Sequence, residues 1–377
     1  MKPLLSRAIT VATFLLSFPF GAAFALEPGE SIVLDPATGN YTITYRGDSN
    51  STELSHTVFV PSTKIDPTIR SSFRLGEKGA IVYRYTVSNG ATAKQAIVGV
   101  VLDQIVDPIV GELPSPDVFQ NPPQAEWDAY IAAEKAALST PAGWGGSIIR
   151  VTNSDGSHLN RVAWQPKPPI RTGGIPAGRT LTGFGFSSLD LPGVYQGWLD
   201  GIGEVLGFPD EGPVEDSDVL DELNRLRDND FITRPAAVPM VAVPAPFDAA
   251  ITLERIQTQM HNWIAMQLID SAFSAQLDRY FQSAISAYRL NQPKVAKQQI
   301  ETMRALVKKE QPNLSNDEEH ESDKNRGQDD DKKSALIDRL AASVLDFDLD
   351  YVMKRMVDDK GEHASKNSDP DSPKRQH

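Results

Sequence analysis

The chain has no cysteine in its 377 residues. No disulfide can staple a small domain, and no thiolate can attack a substrate or hold a metal. Its folded parts must therefore be stable through apolar burial, and its length suffices for two cores. Histidine is scarce as well. His56, His158, His261, His320, His363 and His377 stand in separate contexts, and none forms a His-x-x-x-His pair on a helix. Basic residues are too few to balance the acidic ones: 37 Lys and Arg face 50 Asp and Glu, for a formal charge of -13. That balance repels nucleic acid and anionic lipid, so no nucleic-acid partner is expected. Also missing are the Gly-x-Ser-x-Gly elbow, the Gly-x-x-x-x-Gly-Lys phosphate loop and the His-Glu-x-x-His helix. No catalytic residue, metal ligand or cofactor is assigned. A glycosidase-like carboxylate pair stays open, because distant residues can converge without leaving a motif.

Long apolar runs are absent beyond the first residues. Lys2 and Arg7 precede the apolar stretch 9–20, and Ala23-Phe24-Ala25 gives the small-x-small pattern of signal-peptidase cleavage. Residues 1–25 read as a signal peptide cut after Ala25, which places the mature chain in the periplasm or outside the cell with no stable membrane span. A retained anchor is the alternative, although the stretch is short for a span. Loss of Lys2 and Arg7 takes the formal charge from -13 to -15.

Strand signals fill the front half. Residues 80–102 read as two strands joined by a turn at Ser88-Asn89-Gly90, with Tyr83, Tyr85 and Val87 on one parity. Residues 31–34, 41–45 and 53–61 are short and turn-punctuated. Residues 146–152 and 158–165 flank an Asp-Gly turn, a strong hairpin signal. In 175–187 the inward pair is Phe184 and Phe186, and residues 194–199 close the sheet. A helix is expected over 124–138. Together 26–203 read as an antiparallel β-sandwich with that helix inserted. Residues 204–247 are acidic and then carry prolines at 235, 239, 244 and 246, which reads as an extended linker. From Asp248 the period becomes helical, through Leu253, Ile256 and Met260, then Phe273, Leu277 and Phe281, then Ile300 and Met303. The fold class is therefore α+β, a sandwich followed by a three- or four-helix bundle over 248–307 and 334–357. Residues 308–333 and 358–377 are too polar to bury and are expected to be disordered. Within the first of these, Asp323, Asn325 and Gly327 lack the remaining ligands of an EF-hand loop.

The segment Tyr83-Arg-Tyr-Thr-Val-Ser-Asn-Gly90 resembles the Ig-like modules of bacterial exported proteins. Pro141-Ala-Gly-Trp144 and residues 175–186 are similar to segments of uncharacterised exported proteobacterial proteins. The layout of 266–306 with 336–356 is similar to the FIMAH-type helical domain, without the motif that names it. These resemblances imply architecture and export and carry over no functional residue.

For binding, the candidates are aromatic. Trp144 and Trp198 stand beside glycines at strand or loop ends, where exposure is expected, and Tyr195 is near the second; such rings stack on sugars. Trp164, Phe184 and Phe186 read as core. Three functions follow: a non-catalytic exported protein of adhesion, assembly or envelope interaction; a glycan-binding accessory protein using Trp144, Trp198 or Tyr195; and a hydrolase with an unrecognised carboxylate pair. The partners implied are a polysaccharide or an envelope protein.

Overall fold

Period-two stretches become strands and period-3.6 stretches become helices in the computed structural model. It describes residues 26–47, 53–106, 109–111, 113, 121–152, 158–206, 217–311 and 335–365. The signal-peptide expectation at 1–25, most of the acidic insert and the last residues of the tail lie outside them. The architecture is α+β, with three antiparallel sheets and the helices mostly C-terminal. Two units divide the chain: one comprises residues up to 61 together with 204–229, the other 62–203 together with 230–377.

The first unit is a sheet in the order β1 (Ser31–Asp35), β2 (Asn40–Tyr45), β3 (Ser55–Val60) and β11 (Glu204–Leu206). Helix α3 (Asp218–Asp228), capped by the Ser217 hydroxyl accepting from the Leu220 N–H, brings Val219 and Leu223 to Ile43, Tyr45 and Phe59. The front strands thus have their own small core, apart from the sandwich expected over 26–203. Their closing strand and helix come from the stretch read as linker.

The second unit has two sheets. One runs β4 (Pro67–Leu75), β5 (Ile81–Asn89), β9 (Arg179–Ser188). The other runs β12 (Ile232–Val241), β10 (Leu191–Asp200), β6 (Gly99–Val106), β8 (His158–Pro166), β7 (Trp144–Thr152). Helix α1 (Gln124–Ala137) and the single turn α2 (Ile170–Gly173) are inserted. Alternation works as expected: Tyr83, Tyr85 and Val87 point inward with Phe184 and Phe186, and all are buried. Trp164 from β8 meets Phe184 edge-on at 5.6 Å and Phe186 in a stack at 6.4 Å, so the sheets face each other across an aromatic layer.

Three expectations change. Strands β5 and β6 belong to different sheets, so residues 80–102 are a crossover rather than a hairpin. Asn89 makes it one: its side chain accepts from the Asp66 N–H and donates to the carbonyls of Gln95 and Ile175, spending the turn residue on anchoring. The proline-rich 232–241 is an edge strand, β12, with Pro235 opposite Gln196 and Pro239 opposite Pro192. An edge tolerates prolines because half of its N–H groups have no ladder partner to lose. The strand order also departs from an immunoglobulin sandwich, which pairs its second strand with its fifth and its third with its sixth. Counting from β4, the second pairs with the sixth and the third with the fifth.

Four helices follow: α4 (Ala249–Ala265), α5 (Ser271–Arg289), α6 (Pro293–Glu310) and α7 (Arg339–Ser365). Asp248 and Asp270 cap the first two, Pro293 opens the third, and Gln267 and Asn291 take left-handed φ values of 58° at the turns. Helices α6 and α7 run beyond the expected limits, into residues read as insert and tail. The bundle is not a separate core: Leu253, Trp263, Phe281 and Leu345 belong to the same buried cluster as Tyr83 and Trp164. Phe347 on α7 packs edge-on against Phe73 on β4 at 5.1 Å.

Candidate functional site

The three aromatic candidates do not converge. Trp144 is only 3% exposed, with its ring edge-on to Phe184 at 5.2 Å. Its neighbour Gly146 has no room for a Cβ, which would lie 2.9 Å from Leu138 and 3.0 Å from Trp164. Gly146 thus serves close packing, whereas a Cβ at Gly143 would meet nothing within 4 Å; the ring itself is covered, where the sequence suggested exposure. Tyr195 and Trp198 differ in parity on β10, so they point to opposite faces of the sheet. Tyr195 packs on the core, and Trp198 sits half-buried on the outer face.

On that outer face, β10 places Trp198 between a residue at the entry to β12 and one reaching across β6 from β8. Phe231, just before β12, stacks on the indole at 5.1 Å, and the Arg161 guanidinium from β8 lies over the ring at 4.7 Å. Arg161 also donates from Nη2 to Asp103 Oδ2 at 2.8 Å, and Asp103 Oδ1 accepts the Gln104 N–H. The bulge in β6, where Gln104 takes a φ of 59°, aims Asp103 at Arg161. The indole is thus held by a ring and a cation, and its faces are taken before any sugar arrives. His56 lies on β3 and His158 on β8, in different sheets.

Sequence reasoning missed two carboxyl sites. At the strand end beside Gly99, Asp200 lies over the glycine, whose Cβ would fall 2.1 Å from Asp200 Oδ1. Asp230 accepts the Ser62 N–H at Oδ2 and the Ser62 hydroxyl at its carbonyl. Burial, followed by repulsion from Asp230, raises the Asp200 pKa to about 6. The folded state therefore holds the proton more tightly than the unfolded chain. Stability from this is present below about pH 4 and lost as pH rises through about 6. Asp200→Asn should match the wild type near pH 4 and exceed it above pH 7, by on the order of 2 kcal/mol after discounting partial exposure. Urea unfolding across that range checks it; parallel curves at all pH values would contradict it.

At the sheet–bundle seam, Asp348 on α7 is 1% exposed and its Oδ1 has no hydrogen-bond partner. Burial pushes its pKa well up. Tyr83 is also held far above the ordinary phenol range, by burial first and then by Tyr85, Asp348 and Asp190. Its hydroxyl donates to the Asp190 carbonyl at 2.8 Å, as that of Tyr85 does to the Ala237 carbonyl. Asp190 is 4% exposed, and its Oδ1 accepts the Val243 N–H. A glycosidase needs two carboxyls flanking a cleft open to substrate; Asp190 and Asp348 are enclosed by packing. One signal for Asp348 was in the sequence: Val344, Asp348 and Val352 lie four apart, so the acid occupies a core row.

No family model matches the chain, and neither a curated protein nor a solved structure does. Among the described residues, no three His, Asp or Glu side chains gather as a metal would need, and no helix is long and apolar enough to cross a membrane.

Proposed function

We propose that this is a non-catalytic exported protein that works by assembly with an envelope protein, through the open edge of the first unit. Export rests on the charged, apolar and small-x-small pattern of residues 1–25. The carrying observation is β1. Among the described residues it has β2 on one side and no strand on the other. Consecutive residues on its two faces, Val33 and Leu34, are 56% and 49% exposed. An apolar edge of this kind accepts an extended strand, with main-chain bonds giving affinity and side chains giving selectivity.

The edges of the five-stranded sheet are treated differently. On β7 the Ile148 N–H is taken by the Glu134 carboxylate of α1 at 2.6 Å, and on β12 the Ala237 N–H is taken by the Ser71 hydroxyl at 3.0 Å. Each of those edge strands has an N–H taken by a side chain, and among the described residues the exposed apolar residue of β7, Ile149, stands alone at 46%, where β1 exposes two in succession. The glycan alternative loses support from the burial of Trp144 and the filled faces of Trp198.

The test is affinity capture from envelope extract with the mature chain and with Val33→Lys/Leu34→Lys. Both substitutions fall on exposed positions, so the melting temperature should hold. Capture of the main partner should fall at least about tenfold, a loss of ~1.4 kcal/mol. Undiminished capture by the double variant would remove β1 as the contact.

A further inference from the structure

Helix α7 is fastened on two sides by opposite chemistry. Toward α6, Arg304 donates to Asp346 at 2.7 Å and to Asp350 at 2.7 Å, bridging two acids on α7 that Lys308 and Lys354 also pair with, at 3.6 Å and 2.6 Å respectively. Toward the sheets, the residues between them are Phe347, packed on Phe73, and Asp348, enclosed and with Oδ1 unpartnered. A carboxylate there is shut away from water with no hydrogen-bond partner for Oδ1. The titratable group that feels it is Tyr83 of β5, which also feels Tyr85 and Asp190; Tyr351, one turn along α7, feels Asp190 and Arg355.

Several cations on the packed elements are engaged elsewhere, Lys354 of α7 with Asp350 and Arg84 of β5 with the Tyr83 carbonyl among them. Arg304 is taken by Asp346 and Asp350, Arg355 lies over the rings of Phe247 and Tyr351, and Arg255 of α4 donates to the Ala242 carbonyl. His261 of α4 pairs with Asp278 of α5, and Arg289 of α5 with Glu254 of α4. An isolated charge in such a place costs several kcal/mol, whereas a neutral carboxyl costs far less.

We propose that α7 is a proton-set latch: with Asp348 neutral the helix seats fully on the sheets, and ionisation of Asp348 loosens it from them while the Arg304 side still holds. The sign follows from burial. The folded state favours the proton, so the seating is complete below the ordinary carboxyl range of about 4 and weakens as pH rises through the elevated folded-state value. The loosened helix exposes Phe73 and Phe347, a paired apolar surface covered in the seated form.

Hydrogen exchange on the full mature chain reads this directly, with protection corrected for the intrinsic rate at each pH. It is best done in the Asp200→Asn background, so that the other raised carboxyl does not contribute. Between pH 5 and pH 8 the amides of 340–353 should lose at least about tenfold protection relative to those of α5, the factor carried by one pH unit of proton affinity. Asp348→Asn and the volume-keeping Asp348→Leu should both abolish that difference. Constant relative protection of α7 in the wild type would overturn the proposal even if neither variant folds. So would an equal loss in the wild type and in Asp348→Asn.

Discussion

Replacing Trp164 by alanine is expected to lower the unfolding free energy by roughly 3–5 kcal/mol, the range for truncating a large buried aromatic. Trp164 is 1% exposed and touches three rings of the opposite sheet, Tyr85 at 6.2 Å, Phe184 at 5.6 Å and Phe186 at 6.4 Å. Its loss would leave a void bounded by rigid strands, which relax little, so the cavity cost adds to the lost transfer energy. Trp164→Phe separates packing from polarity. The indole Nε1 is buried without a partner, so phenylalanine keeps a ring in the layer and removes an unsatisfied donor. That variant should cost much less, on the order of 1 kcal/mol. Urea midpoints with unchanged m values give both numbers. A loss below about 1 kcal/mol for the alanine variant would mean that the layer is not the structural centre.

The aromatic layer was legible because strand alternation fixes which residues share a face. Tyr83 and Tyr85 against Phe184 and Phe186 follow from a period of two once each strand is recognised. A glycine bulge even preserves it: Gly183, at a φ of 101°, is skipped between the pairs Tyr85–Phe184 and Thr86–Thr182, so Leu181 and Phe184 both stay inward. The local pairing of β7 with β8 was legible for a similar reason, an Asp-Gly dipeptide standing between two β-prone runs in the sequence.

Pairings between distant strands were not legible. The turn-like Ser88-Asn89-Gly90 could close a hairpin or anchor a crossover, and only the distant Asp66 and Ile175 decide. The prolines of β12 read as linker, because the rule that excludes proline from sheets does not hold at an edge. The site residues divide in the same way. Trp144 beside glycines looked exposed, but Phe184 packs edge-on against its ring, and Leu138 and Trp164 close on Gly146 from elsewhere in the chain. Asp348 sat on the apolar row of its helix, a conflict between residue type and position of the kind that marks strain or function.

A chain ending at Phe247 is expected to lose the cooperative unfolding of the second unit altogether. The sheets and the bundle share one buried cluster, so the helices cover apolar surface that the sheets cannot cover themselves. Phe73 would lose Phe347, and Phe247 would lose both Tyr351 and the Arg355 guanidinium over its ring. Uncovering even a handful of large apolar side chains, at ~1.5–3 kcal/mol each, equals the ~5–15 kcal/mol that holds a whole domain. The short bridge of Ile269 with Ile337 survives in an isolated 248–365 fragment, as do the Arg304 pairs, so that fragment should keep helix content. Trp263 and Phe347 face the shared cluster or the sheets, so their loss of cover should leave it without a sharp melt. All five tryptophans lie in the second unit, so their fluorescence follows that unit without a contribution from the first. A broad, early change in the truncated chain, beside one steep transition in the full chain, is the expected pair of curves. A steep transition near the full-length temperature in the truncated chain would show two independent cores, and the reading of 248–307 with 334–357 as a separate bundle would then stand.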